Sequence, residues 1–225
     1  MTEPNIITEI LFLSLGASIN PTNLTIILLY LGSENHPLRK GSSYYAGNFT
    51  AAFVWTFLSL LFGAALLAII PHFSTFISAC IDISLGFILL LLGIYFYRKR
   101  KPQKNDKVKE AKKEPGLYKV YSFGFFMNIA NYSSIPLLFV ASKDVGLTGL
   151  SFEYQISLLL VICLIMNIMV EIPLIFYIIE RQRAVKILRK ANVLFTSKGN
   201  IIIGIYIFLI GIFLIWRGLN ILNIL

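Results

Sequence analysis

Residues 14–23 read SLGASINPTN, and residues 122–131 read SFGFFMNIAN. Both stretches fit the pattern S-[LF]-G-x3-N-x2-N, and they are separated by a constant offset of 108 residues. A second pair of stretches, 82–94 and 200–212, shares two glycines and an isoleucine at an offset of 118 residues. Since the matches occur in the same order in both halves of the chain, the sequence predicts a three-helix unit that occurs twice.

The composition is typical of a membrane protein. The 225 residues are 57% hydrophobic and 14% charged, whereas soluble domains are about 45–50% apolar and about 25% charged. This composition excludes a soluble enzyme and a disulfide-rich secreted domain. The two cysteines (Cys80, Cys163) and the two histidines (His36, His72) lack the spacing of a metal site, so we expect no cofactor.

Six stretches are long and apolar enough to cross a bilayer, which takes about 20 residues each. Helices are the expected structure, because a strand with open edges cannot span lipid. The predicted fold is therefore an all-α polytopic membrane protein. Its predicted spans are roughly 6–31, 44–70, 74–97, 120–142, 154–179 and 200–222.

The basic residues predict the orientation of these spans. Of the 20 lysines and arginines, 18 lie in the loops after spans 1, 3 and 5, and only Lys143 and Arg217 lie on the other side. Because cytoplasmic loops are enriched in basic residues, both termini are expected outside the cell membrane. The basic stretch 98–119 is interpreted as a cytoplasmic linker, which attracts anionic lipid headgroups or simply keeps the loop solvated. The stretch 181–198 has the pattern of an amphipathic helix on the inner leaflet.

The linker divides the chain into a first repeat at 1–97 and a second at 120–225. Because each repeat has three spans, the second copy must cross the membrane upside down relative to the first. Inverted repeats of this kind are a hallmark of secondary transporters, whose substrate sites lie at broken helices near the middle of the bilayer.

The repeated asparagine motif is a candidate for such a site. Three residues in each copy are spaced so that they share one face of a continuous helix, and Pro21 and Pro136 are expected to break the two helices. The predicted substrate-lining residues are Gly16, Asn20, Pro21, Asn23, Gly124, Asn128 and Asn131. The alternative is that these amides only hold transmembrane helices together.

Two acidic residues fall within the predicted spans. Glu171, with Asn167 on the same face and Pro173 just after it, is the leading candidate for a residue that couples transport to a proton or cation. Asp82 is the second candidate, although its place near the outer end of span 3 predicts partial contact with water. No basic residue is expected deep in any span, so ion pairing is not expected, and Glu9 is expected to be hydrated.

Four glycines at equivalent places in spans 3 and 6 were assigned to close helix packing rather than to chemistry. They are Gly86, Gly93, Gly204 and Gly211.

The chain resembles the LysE superfamily of six-span exporters, and within it the GAP/Sap type, named for peptidoglycolipid and sulfolipid addressing. The resemblance is carried by the stretches 20–23 (NPTN), 128–131 (NIAN), 171–174 (EIPL) and 211–218 (GIFLIWRG). The family usually has Pro and Lys in the middle of the second motif, where this chain has Ile129 and Ala130. The resemblance implies export, but it gives only weak evidence for the identity of the substrate.

The sequence thus predicts a multi-pass exporter or flippase of the plasma membrane that moves an amphipathic or lipid-linked substrate outward by alternating access. The chain contains no G-x4-G-K-[ST] signature for ATP, so an ion gradient, the membrane potential or a partner must supply the energy. Membrane lipid is the expected partner, a homodimer is compatible with so small a chain, and nucleic acid is not expected.

Two other functions remain open at this stage. The first is export of a small solute such as an amino acid, or of a metal cation held by Asp82 and Glu171. The second is a non-transporting accessory subunit for lipid export. An enzyme is not expected, because no set of nucleophile and base is apparent.

Overall fold

The computed structural model describes residues 3–98, 115–131, 134–180 and 204–222. These residues form nine helices and no strand. The helices are α1 (Glu3–Ser18), α2 (Pro21–Leu31), α3 (Pro37–Ile69), α4 (Pro71–Arg98), α5 (Leu117–Ile129), α6 (Ile135–Leu147), α7 (Phe152–Met166), α8 (Ile168–Ile179) and α9 (Gly204–Ile221). The all-helical fold class is thereby confirmed.

The first predicted span is broken into α1 and α2, which meet at an angle of 61°. Pro21 begins α2, and Asn20 caps it in an extended conformation, with its side chain accepting a hydrogen bond from the backbone N–H of Asn23. A proline has no N–H to continue the helix before it, so a new helix starts there. The expectation that Gly16, Asn20 and Asn23 share one helix face is therefore wrong, because the break separates Gly16 from the two asparagines.

The second motif also lies at a break, as predicted. Helix α5 ends at Ile129 and α6 begins at Ile135, with Pro136 in its first turn. Asn128 lies in the last turn of α5, whereas Asn131 lies beyond it. The three motif residues of this copy therefore do not share one helix either.

A third break was not predicted. Helices α7 and α8 meet at an angle of 70° at Asn167. Pro173, two residues after Glu171, lies inside α8 and does not end this helix. The bend falls at an asparagine whose own side chain donates to the carbonyl of Cys163, and nothing in the local sequence pattern marks it.

The helices have the surface of a membrane protein. Three of them (α3, α4 and α9) are long and apolar enough to cross a bilayer, and the bent pairs α1–α2 and α7–α8 raise the number of candidate spans to five. Large apolar side chains point outward from these helices, such as Leu91, which is 67% exposed, and Ile178, which is 66% exposed. So continuous an apolar exterior suits contact with lipid rather than water.

Helix α3 lies against both halves of the second broken pair. Gly47 packs on the backbone of Tyr121 in α5, and Gly63 packs on the backbone of Lys143 in α6. Since both sets of numbers rise together, α3 runs parallel to α5 and α6. The lack of a side chain at these glycines lets the backbones approach closely.

Helices α4 and α9 pack through the glycines that the sequence assigned to helix packing. Gly86 lies against the carbonyl of Gly211, and Gly93 lies against the carbonyl of Gly204. One set of numbers rises as the other falls, so these two helices are antiparallel. The prediction that the four glycines serve close packing is confirmed.

The buried apolar side chains form two clusters. The larger one joins α1, α3, α4, α6, α7 and α9 around Leu13, Leu138, Ile162 and Ile210, and the smaller one joins α2, α3, α5 and α8 around Ile27. Most of the basic linker and the stretch 181–198 lie outside the described residues, as does Asn200.

Candidate functional site

Three asparagines and a tyrosine form a buried group that we call the amide cluster: Asn23 of α2, Tyr44 and Asn48 of α3, and Asn128 of α5. The side-chain oxygen of Asn48 accepts hydrogen bonds from the amides of Asn23 (3.2 Å) and Asn128 (3.3 Å). The hydroxyl of Tyr44 donates to the side-chain oxygen of Asn23 (2.7 Å). One asparagine from each motif is therefore joined through α3.

The orientation of these amides follows from one backbone group. The amide nitrogen of Asn48 donates to the carbonyl of Tyr44 (3.3 Å), which can only accept. The oxygen of Asn48 must then face Asn23 and Asn128, and both of these residues must present their nitrogens to it. The network is self-consistent in this arrangement, and exchanging N and O of any one amide would place two donors or two acceptors together.

This arrangement leaves one acceptor unpaired. The side-chain oxygen of Asn128 is fully buried and has no hydrogen-bond partner among the described residues. A buried carbonyl without a donor costs about 1–3 kcal/mol. Such a group in a native structure needs an explanation, and facing a ligand that donates a hydrogen bond is one.

The two helix breaks touch each other directly beside this cluster. The hydroxyl of Ser134, at the start of α6, donates to the carbonyl of Ala17 in the last turn of α1 (2.7 Å). The amide of Asn131 in turn donates to Ser134 (2.7 Å). Backbone carbonyls freed by a broken helix are thus satisfied across the two halves of the chain.

The other predicted lining residues have packing roles. Gly16 lies against Tyr206 and Ile210 of α9, away from the amide cluster. Gly124 lies against the carbonyl of Tyr44, where any side chain would collide. Asn20 serves as the cap of α2. The structure therefore brings Asn23 and Asn128 together through Asn48, with Gly124 as packing support, but it leaves Gly16 outside.

Glu171 lies beside this cluster on α8. Its carboxylate accepts a hydrogen bond from the hydroxyl of Tyr45 (2.8 Å), the residue next to Tyr44 on α3. Glu171 is partly exposed, and its backbone N–H donates to the carbonyl of Asn167. Asn167 is buried, and its side-chain amide donates a hydrogen bond to the carbonyl of Cys163. The carboxylate is thus held by one neutral donor.

A second polar group, which we call the ionic cluster, consists of Glu9 (α1), Asp82 (α4), Lys143 and Asp144 (α6), and Arg217 (α9). Asp82 pairs with Lys143 (3.2 Å) and with the guanidinium of Arg217. Arg217 also pairs with Glu9 (3.1 Å) and Asp144 (2.7 Å), and Lys143 pairs with Asp144 (2.8 Å).

Two expectations about charge are wrong here. Asp82 is fully buried rather than partly hydrated, and Lys143 and Arg217, which were not expected deep in a span, are buried as its partners. Glu9 is 26% exposed and ion-paired. The reason is tertiary: the charges lie on four different helices, and only the packing of these helices brings them together.

The two polar groups are far apart. The amide cluster and Glu171 lie around Tyr44 and Tyr45 of α3, whereas Lys143 of the ionic cluster packs on Gly63 of the same helix. The eighteen residues from 45 to 63 correspond to about 27 Å of helix. Asp82 and Glu171 therefore do not form one oxygen-rich site. Among the described residues, no three His, Cys, Asp or Glu side chains lie together as metal ligands.

Sequence reasoning missed Tyr44, Asn48, Lys143, Asp144 and Arg217. Asn48 carries a signal that could have been used, since it is an amide beside a glycine inside an apolar helix. Lys143, Asp144 and Arg217 carry a similar signal, because they are charged residues that follow apolar stretches. Spacing along the chain does not indicate which helices these residues meet.

These features define an integral membrane protein of helices, with broken helices around a buried polar centre. The family model for Sap, sulfolipid-1-addressing protein, matches residues 10–220. The chain belongs to this family, as the Sap part of the resemblance predicted. No curated protein and no solved structure matches the chain.

Proposed function

We propose that this protein is an exporter or flippase of the plasma membrane that moves an amphipathic, lipid-linked substrate outward by alternating access. The observation that carries the proposal is the amide cluster, in which asparagines next to two helix breaks meet through Asn48. Broken helices that meet at a buried polar site are the usual architecture of substrate sites in transporters.

The proposal takes the chain as six spans. Five candidate spans follow from length and composition, and α5 with α6 would be the sixth. Its support is the contact with α3, which follows both helices from Gly47 at one end to Gly63 at the other. The basic loops would then lie in the cytoplasm, with both termini outside.

The proposal also takes the two halves as inverted repeats. Helices α4 and α9 occupy equivalent places in the two halves, and their glycine contacts run antiparallel, as inversion requires. The breaks at Asn20 and after Ile129 also occur in equivalent helices. Alternating access would then be a rocking of one repeat against the other around the amide cluster.

In this mechanism Asn128 contacts the substrate. Its free oxygen accepts a hydrogen bond, which suits a hydroxyl-bearing headgroup such as a sugar. The name of the family, sulfolipid-1-addressing protein, supports a lipid with a polar headgroup as the substrate class. Glu171 would couple the cycle by binding a proton or cation while Tyr45 holds its carboxylate. The protein would need no cofactor and would perform no covalent chemistry.

The test is lipid flipping in proteoliposomes, with a fluorescent glycolipid and a fluorescent phosphatidylglycerol as probes. The wild-type protein is expected to flip the glycolipid, and Asn128→Ala is expected to reduce the rate about tenfold, as loss of one buried hydrogen bond to a ligand would. Asn35→Ala, in the exposed loop before α3, is the matched control. A wild-type protein that does not flip the glycolipid would contradict the proposal. Equal rates for Asn128→Ala and Asn35→Ala would contradict it as well.

A further inference from the structure

The ionic cluster joins the two halves of the chain. Its acidic residues Glu9 and Asp82 belong to the first half, whereas Lys143, Asp144 and Arg217 belong to the second. Three of its ion pairs therefore cross between the halves: Glu9 with Arg217, Asp82 with Arg217, and Asp82 with Lys143. The first half contributes two negative charges, and the second half contributes both positive ones.

Because these cross-half pairs are buried, they are expected to be either fully formed or fully broken. Asp82 and Lys143 are fully buried, and Arg217 is 5% exposed. A buried charge that loses its partner is strongly destabilised. The halves therefore either keep these pairs or separate far enough for water to replace them, and intermediate separations are unfavourable.

Asp144 provides a partner for the separated arrangement. It lies on the same half as Lys143 and Arg217 and pairs with both, at 2.8 and 2.7 Å. If Glu9 and Asp82 withdrew, the two cations would keep one carboxylate between them. Asp144 thus competes with the first half for the same cations.

Water can reach the cluster from one side. Glu9, Asp144 and Arg217 line a cavity of about 360 Å³ together with Thr75, Ser78 and Thr148. Glu9 and Asp144 are 26% and 18% exposed there. The carboxylates of the first half could be hydrated from this cavity as soon as they left Arg217.

We propose that the ionic cluster is a gate between the two halves, which is closed in this structure and closes the end of the pathway opposite to Glu171. The gate rests on the alternating-access function proposed above. Its closed state is held by the pairs of Glu9 and Asp82 with the second half, and Asp144 stabilises its open state by retaining Lys143 and Arg217.

The gate predicts opposite effects from neighbouring residues. Arg217→Gln removes two cross-half pairs and opens the gate. Asp144→Asn removes the competing carboxylate, leaves two negative charges facing two positive ones, and tightens the gate. A cluster that served only as structural packing would be loosened by both substitutions.

The experiment measures the reaction of a cysteine at position 142 with a membrane-impermeant thiol reagent. Ser142 is fully buried beside Lys143, and its hydroxyl has no partner among the described residues, so Ser142→Cys removes no hydrogen bond. Cys80 and Cys163 are first replaced by serine. Thr148→Cys, in the wall of the cavity, is the control, since it should react equally in every background.

Arg217→Gln is expected to raise the reaction rate at position 142 about tenfold or more, as the loss of a buried pair would, and Asp144→Asn is expected to lower it. If Arg217→Gln does not yield a monodisperse protein, Glu9→Gln takes its place, since Glu9 is partly exposed and supplies a single pair. Rates that change in the same direction, or not at all, would overturn the gate. Because labelling needs no substrate, failure of the gate is distinguishable from failure of the flipping assay.

Discussion

Asn48 holds the amide cluster together through one oxygen atom. That oxygen accepts from Asn23 and Asn128, while the amide nitrogen of Asn48 is fixed by a backbone carbonyl. The two substitutions Asn48→Ala and Asn128→Ala therefore have different consequences, although both remove a buried asparagine.

Asn48→Ala is expected to destabilise the protein by about 2 to 5 kcal/mol, because it leaves two buried amide donors without an acceptor. Asn128→Ala is expected to cost only about 1 kcal/mol, because the oxygen of Asn48 keeps its bond from Asn23. Thermal unfolding of the purified variants in detergent measures the difference. Equal losses of stability would show that the network is not arranged as described.

Glu171 accepts a hydrogen bond from Tyr45 and pairs with no cation among the described residues. Glu171→Gln preserves an oxygen that can accept this hydrogen bond, but it cannot bind a proton or cation as a carboxylate does. Transport driven by an ion gradient across proteoliposomes is therefore expected to be lost, while the protein remains folded. Tyr45→Phe, which keeps the carboxylate, should retain gradient-driven transport. A Glu171→Gln variant that transports at the wild-type rate would exclude Glu171 as the coupling residue.

At the scale of the helices, the sequence was informative where local chemistry decides the structure. Pro21 and Pro136 predicted two breaks because a proline cannot continue a helix. Gly86 and Gly93 predicted close packing because their spacing matches that of glycines in the second half. The bend at Asn167 was not predictable in this way, since it lies six residues before the nearest proline.

The glycine contacts give a test of the α4–α9 interface. A Cβ atom at position 93 would lie 2.8 Å from the backbone nitrogen of Phe208 and 2.9 Å from the carbonyl of Gly204. Gly93→Ala should therefore push the helices apart at a cost of about 1–3 kcal/mol. Gly116→Ala is the control, because nothing lies within 4 Å of the position its Cβ would occupy. A melting temperature unchanged in Gly93→Ala would contradict this close contact.

At the scale of the whole molecule, the sequence indicated a membrane protein from composition alone, and the fold class followed. The pairing of the two motifs through Asn48, and of charges on four helices through Arg217 and Lys143, was not predictable from spacing. Each depends on which helices are neighbours, and apolar stretches of similar length do not encode that. For this reason, Lys143 and Arg217 were not expected to pair with Asp82.

The proposed orientation is testable with two cysteine variants in the background without Cys80 and Cys163. Asn35→Cys lies in the loop between α2 and α3, next to Arg39 and Lys40, and Thr148→Cys lies just after α6. The enrichment of basic residues in cytoplasmic loops predicts that position 35 reacts only from the cytoplasmic side and position 148 only from outside. Right-side-out and inverted vesicles treated with an impermeant reagent distinguish labelling from outside from labelling from the cytoplasmic side. Labelling of both positions from one side would contradict the six-span topology.

The most direct measurement of the central claim is a high-resolution structure of the protein in lipid nanodiscs, examined for density between α2 and α5. The account predicts an elongated lipid-like density that enters from the side and reaches the free oxygen of Asn128. A closed, water-filled pocket around Glu171 without a lateral opening would contradict a lipid substrate, and a tightly packed amide cluster in every conformation obtained would contradict its role as the substrate site.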